Sequence, residues 1–172
     1  MTKTVIPPAM QREALLMSLI ALVAFASPAW AQEAIAYPDP SLTPGAIRAT
    51  DAAAICSVGT AQFRHWDRAR ADRIFESYHI ARKDRIQYTL DHLVPLEIGG
   101  ADTIENIWPE PRRSLAGEWD DEAKDQLERR LAVLVCDGSL PVTEAQRAIA
   151  EDWTAAYQQY FRTPALQAME PK

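Results

Sequence analysis

The sequence predicts an α+β domain in which two short strands sit between one helix and a following pair of helices. Three observations carry this. Residues 86–94 (IQYTLDHLV) are rich in β-branched and aromatic types and end at Pro95, the signature of a strand that stops or lies at an edge. Ala123, Leu127, Leu131 and Leu134 fall at i, i+4, i+8 and i+11, one helical stripe. Ala145, Ile149, Trp153, Ala156 and Tyr160 repeat that spacing in a last helix.

The chain begins with a segment that reads as targeting rather than fold. Lys3 and Arg12 give a positive start, Ala14 to Ala26 is apolar, and Ala29-Trp30-Ala31 fits the small-x-small rule before a cut at Gln32. The apolar run is shorter than the roughly 20 residues a membrane span needs. Residues 1–31 are therefore expected to be a signal peptide, leaving 141 of 172 residues, no membrane span, and a periplasmic or secreted protein. The whole chain carries a formal charge of −6; losing Lys3, Arg12 and Glu13 removes one net positive charge and makes it −7. That balance excludes a generally basic nucleic-acid binder. A local basic surface remains, because residues 64–85 hold Arg64, Arg68, Arg70, Arg73, Arg82, Lys83 and Arg85.

Residues 32–50, with Pro38, Pro40, Pro44 and Gly45, read as an extended leader, and the folded domain is expected over 51–162. It opens on an apolar patch around Ile55 and Cys56, broken by Gly59. Trp66, Ala69, Ile74 and Tyr78, with Phe75 alongside, predict a short helix ending near His79. After the strand, Gly99-Gly100 predicts a turn and Ile107-Trp108 a second short strand bounded by Pro109 and Pro111. The next helix is expected from Trp119 to Val135, with Asp120, Asp121 and Glu122 suiting its positive end and Gly138 following its close. Thr143 and Gln146 match a capping box at the start of the last helix. Residues 163–172 read as a loose tail. Cys56 and Cys136 are an even pair in an exported chain, which favours a disulfide over zinc, since no C-x-x-C spacing is present.

The chemistry concentrates in YTLDHLVPLEIGGADTIENIWPEP at 88–111, where Asp91-His92 precede a Gly-Gly turn and Asn106. An imidazole with an ordinary pKa of about 6.5 accepts a proton from water at neutral pH. A carboxylate is an oxygen ligand for a hard cation such as Mg²⁺. Neighbouring strand residues point to opposite faces, so Asp91 and His92 share one site only if the strand twists or ends there. Asp91-His92 as a plain ion pair, and Asn106 as a plain turn residue, are the competing structural readings.

Strand, turn, loop, strand and helix, with Asp-His on the first strand, resemble the ββα-metal motif of HNH endonucleases over residues 87–131. The wider segment is similar to bacterial exported HNH-like proteins in Asn-x-Trp-Pro-Glu at 106–110, Lys-Asp-x-x-Glu at 124–128, Val-Cys-x-Gly at 135–138 and Ala-Gln-x-x-Ile at 145–149. The resemblance implies a ββα-metal (HNH-like) core flanked by additional helices. His92 is then the general base, Asp91 the ligand of one divalent cation (Mg²⁺ or Mn²⁺), and Asn106 the residue that pins the loop and orients the His92 ring. The implied activity is metal-dependent hydrolysis of phosphodiester bonds, in DNA ahead of RNA. The chain departs from the family on the helix, where the third position is usually His or Asn, three residues before a basic one. Counting back from Lys124 gives Asp121, which reads either as a second ligand or as a helix cap, with Asp120 and Glu122 as alternatives. The departure and the acidic balance favour a rival, a catalytically inactive HNH-like binding or structural module. A further rival is a periplasmic partner protein presenting helices 120–135 and 143–160. His65 and His79 are expected at the surface or half-buried, Glu97 and Glu110 at the surface, and Trp108 and Trp153 in the core. Arg64 to Arg73 reads as a solvated helix face more than a phosphate track.

Overall fold

A computed structural model describes residues 37–65, 67–112 and 119–161. The expected signal peptide, Trp66 and the expected loose tail at 163–172 lie outside them. The fold is α+β, a two-stranded sheet with helices and one disulfide. In chain order the elements are α1 (Ala52–Cys56), α2 (Arg68–Ser77), β1 (Tyr88–His92), β2 (Ile107–Pro111), α3 (Asp121–Cys136) and α4 (Val142–Phe161). Among the described residues no helix is long and apolar enough to cross a membrane.

The strands pair antiparallel, with Asp91 opposite Trp108 and His92 opposite Ile107. The second strand runs further than the sequence suggests, through Pro109 and Pro111. The register explains the difference. Leu93 N–H bonds the Asn106 carbonyl and Arg112 N–H the Gln87 carbonyl, which puts Pro109 and Pro111 in non-hydrogen-bonded pairs where no amide donor is needed.

Two apolar clusters flank this sheet. Ile74 and Phe75 of α2, with Tyr78 just past its end, join Tyr88, Ile107 and Trp108 on one side. Leu127, Leu131 and Val135 of α3 meet Ala145, Ile149, Trp153 and Tyr160 of α4 in the larger cluster, with Val94 and Ile98 from the loop after β1. Cys56 and Cys136 form the disulfide, their Cα atoms 5.7 Å apart, and tie α1 to the end of α3.

Helix starts follow short-range chemistry. Asp67 caps α2 through the Ala69 amide, and Asp120 caps α3 through the Ala123 amide. At α4 the capping-box reading is corrected. Gln146 turns inward and donates to the Ala49 and Ile98 carbonyls, while Pro141 O takes the amides of Glu144 and Ala145. Asp152 is extended inside α4 and caps its second half through the amides of Thr154 and Ala155.

The segment read as an extended leader docks onto the turn after β1. Arg48 and Ala49 amides bond the Gly99 carbonyl, and Ile47 bridges Gly100. Gly99 has φ 90°, and a Cβ there would lie 2.3 Å from the Ala49 carbonyl oxygen. At Gly100 it would lie 1.9 Å from the Val94 carbonyl oxygen. Only glycine fits this crossing of three chain segments.

Candidate functional site: two faces of one strand

The loop that presents β1 is built around Asn106. Its side chain is fully buried; Oδ1 accepts from the Val94 amide at 2.9 Å, and Nδ2 donates to the Val94 and Ala101 carbonyls at 2.8 Å each. These bonds hold the start and the end of the Gly-Gly loop to one point, immediately beyond His92.

Asp91 and His92 end on opposite faces of β1. No twist brings them together, and each face has its own polar cluster.

His92 is 7% exposed and points toward α2. Its Nε2 lies 2.9 Å from Oδ1 of Asp102. Arg70 Nη1 donates to Oδ2 of the same carboxylate at 3.1 Å and to the Asp102 carbonyl at 2.8 Å. The His65 amide also donates to Asp102 Oδ2, at 2.8 Å, and its exposed ring stands 3.6 Å from that oxygen. Burial pushes the Asp102 carboxyl up, but the His65 amide, the His92 ring and the Arg70 guanidinium outweigh it and hold the carboxyl below its ordinary range. Arg64, His65, Arg70, His92 and Asp102 line a cleft of about 110 Å³ with Leu90 and Ile107 as its apolar wall. When Asp102 accepts the Nε2 proton, the other ring nitrogen, Nδ1, keeps its lone pair for a proton from a nucleophile. Arg64, Arg68 and Arg73 are exposed, as the reading of a solvated face has it; Arg70 is the exception, half-buried against Asp102, and with Arg64 it lines the cleft.

Asp91 faces α3. Lys124, wholly buried, donates from Nζ to Asp91 Oδ2 at 2.6 Å, to the His92 carbonyl at 2.8 Å and to Glu128 Oε1. Burial raises the Asp91 carboxyl, yet the Lys124 ammonium prevails and lowers it overall. Glu110 joins this cluster at 3% exposure rather than lying at the surface, and its Oε1 has no hydrogen-bond partner. Burial first, then repulsion from Asp91, Glu128 and Asp121, pushes Glu110 up to about 9 against the attraction of Lys124. Burial likewise pushes Glu128 up to about 8. Burial thus pushes both carboxyls toward the neutral acid.

The Mg²⁺ or Mn²⁺ expected at Asp91 and Asp121 does not fit this arrangement. Asp91 is occupied by an ammonium, and Asp121, the first residue of α3, lies beside the capping residue Asp120. Burial and repulsion from Asp120 raise the Asp121 carboxyl above its ordinary range. Among the described residues no three His, Cys, Asp or Glu side chains form a group that could hold a metal ion. Glu97 is exposed and accepts from Thr60, and His79 is exposed with φ 56° just past the end of α2.

Asp102, Lys124 and Glu128 are the site residues that sequence reasoning passes over. Lys124 carries a legible signal: with Leu127, Leu131 and Val135 it stands at i, i+3, i+7 and i+11, a lysine on a buried stripe. Asp102 has none beyond following a glycine pair. No family model matches this chain, and neither a curated protein nor a solved structure matches it.

Proposed function

We propose that this domain is an HNH-like module of an exported protein and that it hydrolyses phosphodiester bonds in nucleic acid, with His92 as general base. One observation carries the reading: a buried imidazole, oriented by a carboxylate, at the floor of an open cleft whose walls hold two arginines. In that geometry a water on the Nδ1 side loses its proton to His92 as its oxygen attacks phosphorus. Arg64 and Arg70 lie where positive charge offsets the charge gathering on the phosphate. The bond to the departing oxygen then breaks, and that oxygen takes a proton from solvent or from His65 at the rim. The order β1, Gly-Gly loop, Asn106, β2, α3 supports the family resemblance, and DNA stays ahead of RNA as substrate.

The second reading is a catalytically inactive module, and the Lys124–Asp91 pair favours it, because the carboxylate expected to bind a metal is committed to structure. Conversion of supercoiled plasmid to open circle separates the two. Hydrolysis by the exported, oxidised protein that is lost in His92→Ala supports the enzyme. No conversion by either protein, with or without Mg²⁺, leaves the binding module.

A further inference from the structure

We propose that Lys124 is a resident cation: its ammonium takes the place at Asp91 that a divalent ion would fill, so this protein holds no metal there. The argument is one of donors and acceptors. An ammonium has three N–H donors, and each has an acceptor here: Asp91 Oδ2 at 2.6 Å, the His92 carbonyl at 2.8 Å and Glu128 Oε1. The side chain is 0% exposed and stands on α3 between the sheet and the larger apolar cluster. A divalent ion at Asp91 must therefore displace a fully satisfied buried charge. Two of the carboxylate oxygens nearest that place, Asp91 Oδ2 and Glu128 Oε1, already serve Lys124. The claim concerns cation occupancy and stands whether or not the cleft on the other face cleaves nucleic acid.

Calorimetric titration with MnCl₂ tests it, because the readout is binding rather than cleavage. The exported, oxidised protein is expected to show no stoichiometric binding up to millimolar Mn²⁺ and the same unfolding midpoint in EDTA as in Mn²⁺. Lys124→Ala frees Asp91 and Glu128, and its midpoint is expected to rise when Mn²⁺ is added. One-to-one binding by the unmutated protein that disappears in Asp91→Asn overturns the proposal. Should Lys124→Ala fail to fold, the titrations of the unmutated protein and Asp91→Asn still decide it.

Discussion

Lys124 Nζ donates to the main-chain carbonyl of His92 at 2.8 Å, so the buried ammonium of α3 and the imidazole of the cleft are joined through one peptide unit. The side chains of His92 and its neighbour Asp91 diverge. Asp91 turns to the lysine and His92 turns to Asp102.

Removing the ammonium strands the charge on Asp91. Lys124→Met is expected to lower unfolding free energy by about 3–5 kcal/mol, the usual cost of breaking a buried pair. The double variant Lys124→Met/Asp91→Asn is expected to recover part of that loss. Urea unfolding of the three proteins checks it; equal losses in the single and double variants would remove the pair as the cause.

The same cluster sets a pH dependence. The folded state raises Glu110 to about 9 and Glu128 to about 8, against about 4.3 for an unfolded glutamate. Between those values the folded protein binds more protons than the unfolded chain, so these groups lower stability as pH rises from roughly 5 to 9. Asp91 is shifted the other way, and its contribution is lost only in acid, as pH falls through its depressed folded value. The urea midpoint is expected to fall across pH 6–9, and to fall less in Glu110→Gln. A flat profile in the unmutated protein would argue against a buried neutral Glu110.

Loop substitutions should separate position from residue type. Asn106→Ala leaves the Val94 amide and two carbonyls unpaired, an expected loss on the order of 3 kcal/mol. Gly100→Ala forces a methyl into the Val94 carbonyl and is expected to prevent native folding. Gly138→Ala meets no atom within 4 Å and pays only for its φ of 81°, about 1–2 kcal/mol. Thermal midpoints ranked in any other order would contradict the loop as described.

The Cys56–Cys136 bridge closes a separation of 80 residues. Cys56→Ala with Cys136→Ala is expected to cost roughly 4 kcal/mol by denaturant unfolding. A loss below about 1 kcal/mol would mean that α1 and α3 hold together without it.

Much of this fold is legible in the sequence because helix stripes and turn residues act locally. Leu127, Leu131, Ile149 and Trp153 are buried where their spacing puts them, and Gly99-Gly100 turns the chain. Trp108 is core as its surroundings suggest. Gln146 is the counterexample: its local pattern reads as a cap, yet two carbonyls from distant segments claim the side chain. The site follows the same division. Asp91, His92 and Asn106 stand out because they are close in sequence. Asp102 meets His92 through the fold of the loop, Arg70 reaches Asp102 from α2, and Lys124 reaches Asp91 across 33 positions. Strand alternation is the local rule that anticipates the outcome, since it assigns Asp91 and His92 to different faces.

The central claim is that the His92 face does chemistry while the Asp91 face is held by Lys124. Cleavage of a labelled oligonucleotide by the disulfide-bonded protein in EDTA, beside His92→Ala, tests it most directly. The account predicts cleavage that persists in EDTA and falls by about a hundredfold or more in His92→Ala, a variant that still unfolds cooperatively in urea. Cleavage that appears only on addition of Mg²⁺ or Mn²⁺ and vanishes in Asp91→Asn, or equal rates with and without His92, would contradict it.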